Sequence, residues 1–486
     1  MLGAEAIDAI AQKIAELGPA IVDDLPGDWT AVHWRPASQS LACARSPIGV
    51  RPLYVYCYGK EAAAATYLPQ LVHAVRPALD LDGFVAERLA LAELGHSRAM
   101  PYSHVVKVLP GEYLVVTASG LRSVNRWLPA FGTFTHEPEE ALIQKFRSFL
   151  ESSVRARLQV ASGVRLGLSG GRDSTTLACV AGRLARELGV ELVGENHWFE
   201  VAGDERRYAV AAASTANVSL LSRHVDRDYF GKCGEIRQWS VPTEGVLHDV
   251  EGPNGVDEEA MIPRMVGHGS DHLFDASPAP SKYLKEMKNW VGELRSWLCP
   301  PPWWEVMNRD STNRFRLKRT LEKCDVPLVF RDRDLRRDLC AFVLTDSWCG
   351  DARLPSTLLA YPFLDQKIVR LCFSLPKRLK RGKGQHRVLL RKAFARDWPT
   401  EVRERRAKGD MSSPVCEAAR RNWRLIDDRL RRSVLVKEGW FASESLREWM
   451  MLALREGRGG AVAALTVLEL EVWLQNVVSS QSGGTV

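Results

Sequence analysis

The 486-residue sequence lacks three things that would each have set its class. It has no cysteines at CxxC spacing. Its ten cysteines are scattered, several in apolar surroundings such as those of Cys179 and Cys372, which excludes a disulfide framework or a zinc cluster and fits buried thiols in a reducing cytosol. It has no apolar run long enough to span a bilayer. Its N-terminus, MLGAEAIDAIAQK, has neither a charged n-region nor a continuous apolar segment, so no secretory signal is expected and the expected location is cytoplasmic. There is no internal repeat, and the signatures of nucleic-acid-binding folds are missing although the net charge is +7. The basic excess gathers within 377–408 (KRLKRGKGQHR, RRAK). It can be read as a nucleic-acid patch, a solvated helix face, or a rim for polyphosphate or another acidic group, and the last is preferred. Hydrophobic residues at 45% and charged residues at 26% describe an ordinary globular chain.

What is present is concentrated in Leu166–Ser174, LGLSGGRDS. A β-prone run (Val164, Leu166, Leu168) stops at Gly170-Gly171, and a polar Arg-Asp-Ser-Thr-Thr opens a helical pattern at Leu177, Val180 and Leu184. A strand that meets a helix N-terminus through a Gly-rich turn presents bare N–H groups and the positive end of the helix dipole to an anion. Ser169, Ser174 and Thr175 add hydroxyls, and Asp173 places a carboxylate among them, which suits a hydrated magnesium ion bridging phosphate oxygens. The lysine of GxxxxGK[ST] is missing, so the loop is not of the Walker type.

Around this loop the pattern reads as α/β. Residues 27–34, 40–45 and 52–58 read as strands of an antiparallel α+β block that follows a helix carrying Ile7, Ile10 and Ile14; Leu109-Pro110-Gly111 turns into another strand. A long amphipathic helix (Leu142, Phe146, Phe149, Val154) leads to the Gly-rich loop. Alternating strands and helices to about 275 then predict a doubly wound parallel sheet, followed by a helical C-terminal extension.

The loop resembles the SGGxDS pyrophosphate loop of ATP pyrophosphatases, which cleave ATP between the α- and β-phosphates. Ala44–Tyr54 (ARSPIGVRPLY), Leu109-Pro110-Gly111 with Arg126-Trp127, Gly203-Asp204-Glu205 with Tyr208-Ala209, Gly267-His268-Gly269-Ser270-Asp271, Tyr361-Pro362-Phe363-Leu364-Asp365 and Arg406-Ala407-Lys408-Gly409 resemble, in order, segments of asparagine synthetases. The resemblance to the asparagine synthetase-like superfamily implies three parts: a truncated, inactive class II glutamine amidotransferase-like domain at 1–132, an ATP pyrophosphatase/ligase domain at 138–478, and a flexible tail at 479–486. The class II glutaminases use an N-terminal cysteine, and here the chain starts Met1-Leu2-Gly3, so glutamine hydrolysis is not expected and the amine is expected to come from the substrate.

Three branches with a lost glutaminase are similar: β-lactam synthetases, carbapenam synthetases and the macrolactam cyclases of lasso peptides. The Tyr–Glu pair of β-lactam synthetases is replaced here by His268 and Leu358, and the segments around His268 and Lys408 look more like the lasso cyclases. That resemblance implies ATP and Mg2+ as cofactors, a precursor peptide as substrate, and a leader peptidase and a leader-recognition protein as partners, with no nucleic acid. The alternatives are a β-lactam-type synthetase acting on a small amino acid and an amidotransferase using external ammonia.

The implied roles are specific. Asp173 and Asp271 hold magnesium. Ser169, Gly170, Gly171 and Ser174, with the backbone at Leu168, Gly267 and Gly269, hold the phosphates, and Val193 and Gly194, taken to lie at the next strand end, hold adenine. Lys408 neutralises the α-phosphate as charge builds. His268 takes a proton from the attacking amine; it can equally be a structural turn residue, and His272 is the second candidate. Trp290, Trp297, Trp303 and Trp304, with Pro300–Pro302, form either a wall that folds a peptide or ordinary core.

Overall fold

The computed structural model describes residues 12–25, 27–47, 51–90, 98, 100–127, 136–198, 205–224, 262–275, 359–382, 385–405, 412–456 and 461–482. The N-terminal part is a sandwich of two antiparallel sheets. One has the order β1 (Thr30–Arg35), β2 (Ser40–Arg45), β6 (Glu112–Thr117), β7 (Gly120–Arg126). The other has the order β4 (Glu61–Ala65), β3 (Tyr54–Tyr58), β5 (Val105–Lys107). Alternation along the strands makes the layers. Cys43, Val55, Leu114 and Val116 meet between the sheets. Ala42, Ala44 and Tyr113, on the opposite face of the first sheet, join the main core.

Much of the outer face of the second sheet is covered. Tyr54 and Tyr56 lie in one apolar cluster with α1 (Leu68–Val75), α2 (Leu81–Ala90) and the C-terminal helices. Phe84 packs on Trp473 with ring centroids 5.4 Å apart.

The second part is built on a five-stranded parallel sheet of order β10 (Ser219–His224), β9 (Glu191–Trp198), β8 (Gly163–Gly167), β11 (Arg264–Met265), β12 (Leu359–Ala360). Strand order runs outward in both directions from β8 and β11, so the switch point at which α/β sheets bind ligands lies beyond the carboxyl ends of these two strands. Helix α3 (Glu139–Leu158) buries Leu142, Phe146, Leu150, Val154 and Leu158 at helical spacing, with Glu139 and Glu140 in its first turn and Arg155 and Arg157 in its last, complementing the dipole. Helix α4 (Arg172–Leu188) follows β8; α5 (Arg206–Ala216) joins β9 to β10; α6 (Ser270–Asp275) follows β11. Further on come α7 (Gln366–Phe373), α8 (Val388–Phe394), the helices between residues 412 and 450, and α9 (Ala461–Ser482). Helix α9 is buried on most sides, with Leu468, Trp473 and Leu474 in the core, and it runs to Ser482, into the stretch expected from 479 onward to be a tail. No helix among the described residues is long and apolar enough to cross a membrane.

Candidate functional site

The Gly-rich loop leaves β8 at the switch point. Leu168 closes the strand: its N–H donates to the Glu195 carbonyl at 2.7 Å and its own carbonyl accepts from Asn196 Nδ2 at 2.9 Å. Gly170 has φ +71°, and a β-carbon there would stand 2.5 Å from the backbone of Tyr208 and Ala209 in α5. Only glycine permits this approach, which brings the loop down on the next helix. Gly171 caps α4. The Ser169 and Ser174 hydroxyls lie 3.2 Å apart, and the Gly171 N–H donates to Ser169 Oγ at 3.3 Å, so two hydroxyls and the start of α4 face one spot.

The second turn closes on the first. A β-carbon on Gly267 would lie 3.2 Å from the Ser174 nitrogen, and Gly269, at φ +86°, packs against Leu364 of the Tyr361–Asp365 segment. Ser270 donates to Asp173 Oδ1 at 2.6 Å. The other carboxylate oxygen of Asp173 accepts from Arg387 at 2.5 Å. Arg405 reaches the same loop: it donates to the Gly170 carbonyl at 3.3 Å, pairs with Glu205, and lies over the Tyr208 ring at 4.4 Å. Arg172 returns the contact by donating to the Arg405 carbonyl.

The site is therefore rich in positive charge. Burial, together with Arg391, Arg387 and Arg405 nearby, pushes Arg172 down to about 10 against the pull of Asp173, and burial lowers Arg405 as well. Guanidiniums crowded this closely around a helix N-terminus are held at a cost that a polyanion would relieve. Two buried polar atoms close by, Thr175 Oγ1 and Asn196 Oδ1, have no hydrogen-bond partner, although buried polar groups are usually bonded. The donors around Asp173 are hard oxygens, from the carboxylate and from the hydroxyls of Ser169, Ser174 and Ser270, which is chemistry suited to Mg2+. Among the described residues no three His, Cys, Asp or Glu side chains converge to hold a metal alone, so a cation at Asp173 would take its other ligands from phosphate and water.

The structure thus brings together Leu168, Ser169, Gly170, Gly171, Asp173, Ser174, Gly267 and Gly269. It does not bring Val193 and Gly194 to the mouth. They pair with Arg165 and Leu166 in mid-strand, where a β-carbon on Gly194 would touch Leu168, while β9 continues to Trp198. The strand end is instead made of Asn196, His197 and Trp198, with the Arg206 guanidinium 3.8 Å above the Trp198 ring. His268 is exposed in the second turn, its ring 6.3 Å from that of Tyr361. Asp271 lies on α6, but its side chain, like that of His272, is outside the described residues. So are Gly203, Asp204, Leu358, Lys408 with its flanking 406–410, and the Trp290–Trp304 segment. Sequence reasoning missed Arg387, Arg405 and Ser270. The signal available for the arginines was the basic run 377–408, two of whose members line the loop.

A family model described as asparagine synthase matches residues 355–475, and one described as glutamine amidotransferase domain matches residues 5–128. Proteins named "Putative asparagine synthetase (glutamine-hydrolyzing)" from Mycobacterium bovis and Mycobacterium tuberculosis are 25% identical over 231 residues, which is 46% of this chain and 35% of theirs. The chain therefore matches about a third of the length of these curated relatives. These two regions make the chain similar to the asparagine synthetase-like superfamily; the Gly-rich loop lies between them, and Arg387 and Arg405 lie within the second.

Proposed function

We propose that the chain is an ATP-dependent amide ligase that forms AMP, and that it closes an isopeptide ring in a ribosomal precursor peptide. The observation that carries the first part is the convergence of the Ser169–Ser174 loop, Asp173 and three guanidiniums at the sheet's switch point. A carboxylate oxygen of the substrate attacks the α-phosphorus and pyrophosphate leaves. The amine then attacks the acyl carbon, AMP departs with that carboxylate oxygen, and one proton is released. Bound Mg2+, held by Asp173 and Asp271, would supply charge neutralisation on the polyphosphate. The loop N–H groups and hydroxyls hold the leaving group, Lys408 offsets charge at the α-phosphate, and His268 accepts the amine's proton.

The peptide reading rests on two supports. Within the region matched to the amidotransferase family there are two cysteines. Cys43 is buried between the sheets with its thiol pushed up to about 12, and burial also raises Cys57, so neither is a poised nucleophile. His268 and Leu358 stand where β-lactam synthetases carry Tyr and Glu, which favours a different amine; an N-terminal amine, largely deprotonated near pH 8, needs only one weak base. The peptide would be freed by a leader peptidase with a leader-recognition protein. The names of the relatives, asparagine synthetases described as glutamine-hydrolyzing, favour a second reading, amidation of a small carboxylic acid such as aspartate. ATP–pyrophosphate exchange with a leaderless precursor peptide tests the proposal. Exchange that needs peptide and Mg2+ and vanishes in Asp173→Ala is expected, with peptide mass falling by one water. ADP as product sinks the ligase reading, and exchange stimulated by aspartate but not by peptide sinks the cyclase.

A further inference from the structure

Arg387 stands at an uncommon place in the backbone. It caps α8 with φ +57° and ψ +46°, a left-handed conformation that a side chain with a β-carbon disfavours. That conformation sets its guanidinium 2.5 Å from Asp173 Oδ2, with only 11% and 14% of the two side chains exposed. Ser270 donates to the other carboxylate oxygen at 2.6 Å. Asp173 therefore has a donor on each oxygen, from two different segments of the chain.

A divalent cation and a guanidinium cannot both sit against one largely buried carboxylate oxygen without strong repulsion. Arg172, next to Asp173 in the chain, adds a further positive charge to that repulsion. A polyphosphate changes the balance, because its oxygens accept the guanidinium fork as well as a carboxylate does. Resting on the reading of this site as a nucleotide site, we propose that Arg387 is a displaceable counter-ion. It holds the cation's place on Asp173 while the site is free of nucleotide, and it transfers to phosphate oxygens when the cation and nucleotide enter. Cation and nucleotide then bind as one event, and cation alone is kept out. Arg387 is a positioning residue for Asp173 in this scheme, and the coupling it creates is reciprocal between the two ligands.

The test is Mn2+ binding, read from the free-ion electron paramagnetic resonance signal, with and without α,β-methylene-ATP. In the wild type, Mn2+ alone binds weakly, and the analogue tightens it by about tenfold or more. In Arg387→Asn, which tolerates the left-handed backbone and cannot reach Asp173, nucleotide-free Mn2+ binding tightens by about tenfold, and the analogue's enhancement shrinks to about threefold or less. Arg387→Lys keeps the wild-type pattern. Equal nucleotide-free Mn2+ affinity in wild type and in a normally melting Arg387→Asn overturns the counter-ion role alone. Tight nucleotide-free Mn2+ binding by the wild type overturns it without any variant. A wild type that binds no analogue at any Mn2+ concentration overturns the nucleotide reading and the counter-ion with it.

Discussion

Replacing Gly170 with alanine probes the contact that seats the phosphate loop. Two costs arise. The left-handed φ of +71° is unfavourable for alanine by about 1 kcal/mol. The new β-carbon would lie 2.5 Å from the Tyr208 carbonyl carbon, the Tyr208 β-carbon and the Ala209 nitrogen, so loop and α5 must part by about 1 Å; such overpacking costs about 1–3 kcal/mol. Gly189 separates the two costs. It caps the other end of α4 at φ +68°, and nothing lies within 4 Å of its would-be β-carbon. Gly189→Ala should therefore cost only the backbone term, lowering the melting temperature by a few degrees at most and leaving ATP binding unchanged. Gly170→Ala should lose about 2–4 kcal/mol, mostly as a displaced loop, and bind ATP about 30-fold or more weakly. Calorimetric melting and titration with ATP on both variants decide this. If Gly170→Ala binds ATP and melts like Gly189→Ala, the loop is not seated on α5 and the geometry of the site is wrong.

Other expectations can be checked separately. If Lys408 has the role proposed for it at the α-phosphate, Lys408→Met should lower turnover far more than it raises the Michaelis constant for ATP; steady-state kinetics showing only a raised Michaelis constant would make Lys408 a ground-state binder. Glu471 on α9 is fully buried and accepts from Ser433 Oγ at 2.6 Å, the Val434 N–H at 2.7 Å and the Leu435 N–H at 3.1 Å. Glu471→Ala strands these donors and should cost about 3–5 kcal/mol in urea unfolding, and a cost under 1 kcal/mol would deny the cap. Asp365 caps α7 through the Lys367 N–H, yet burial raises its pKa. Its charged form is therefore disfavoured in the folded state, and the contribution it makes below the unfolded pKa is lost as pH rises through the folded value. Asp365→Asn keeps a capping oxygen without charge, so it should be at least as stable as the wild type at pH 7, with the difference closing below pH 4. A difference that grows on acidification would reverse the sign assigned to Asp365.

The strand–turn–helix of 163–188 was legible because two signals agree there: the apolar period changes at a glycine pair, and the polar residues that follow suit a helix start. The end of β9 was not. Nothing in ELVGENHW punctuates the strand, so Val193 and Gly194 read as an end although four residues of strand follow Gly194. Arg387 and Arg405 lie 214 and 235 positions from the loop residues they bond, a pairing that only the tertiary fold makes. Composition could say that 377–408 is basic, and it could not say which members turn inward. A linear reading also could not show that the C-terminal helices pack on the outer face of the second sheet of the N-terminal sandwich, with Trp473 against Phe84.

The central claim is that a substrate carboxylate is joined to the α-phosphate of ATP at the Ser169–Ser174 loop. It is tested most directly by oxygen transfer. A leaderless precursor peptide carrying 18O in its side-chain carboxylate is incubated with the chain, ATP and Mg2+, and the nucleotide product is weighed by mass spectrometry. The account predicts AMP containing one 18O, together with pyrophosphate and a peptide lighter by one water. Unlabelled AMP, or ADP with phosphate, would contradict it.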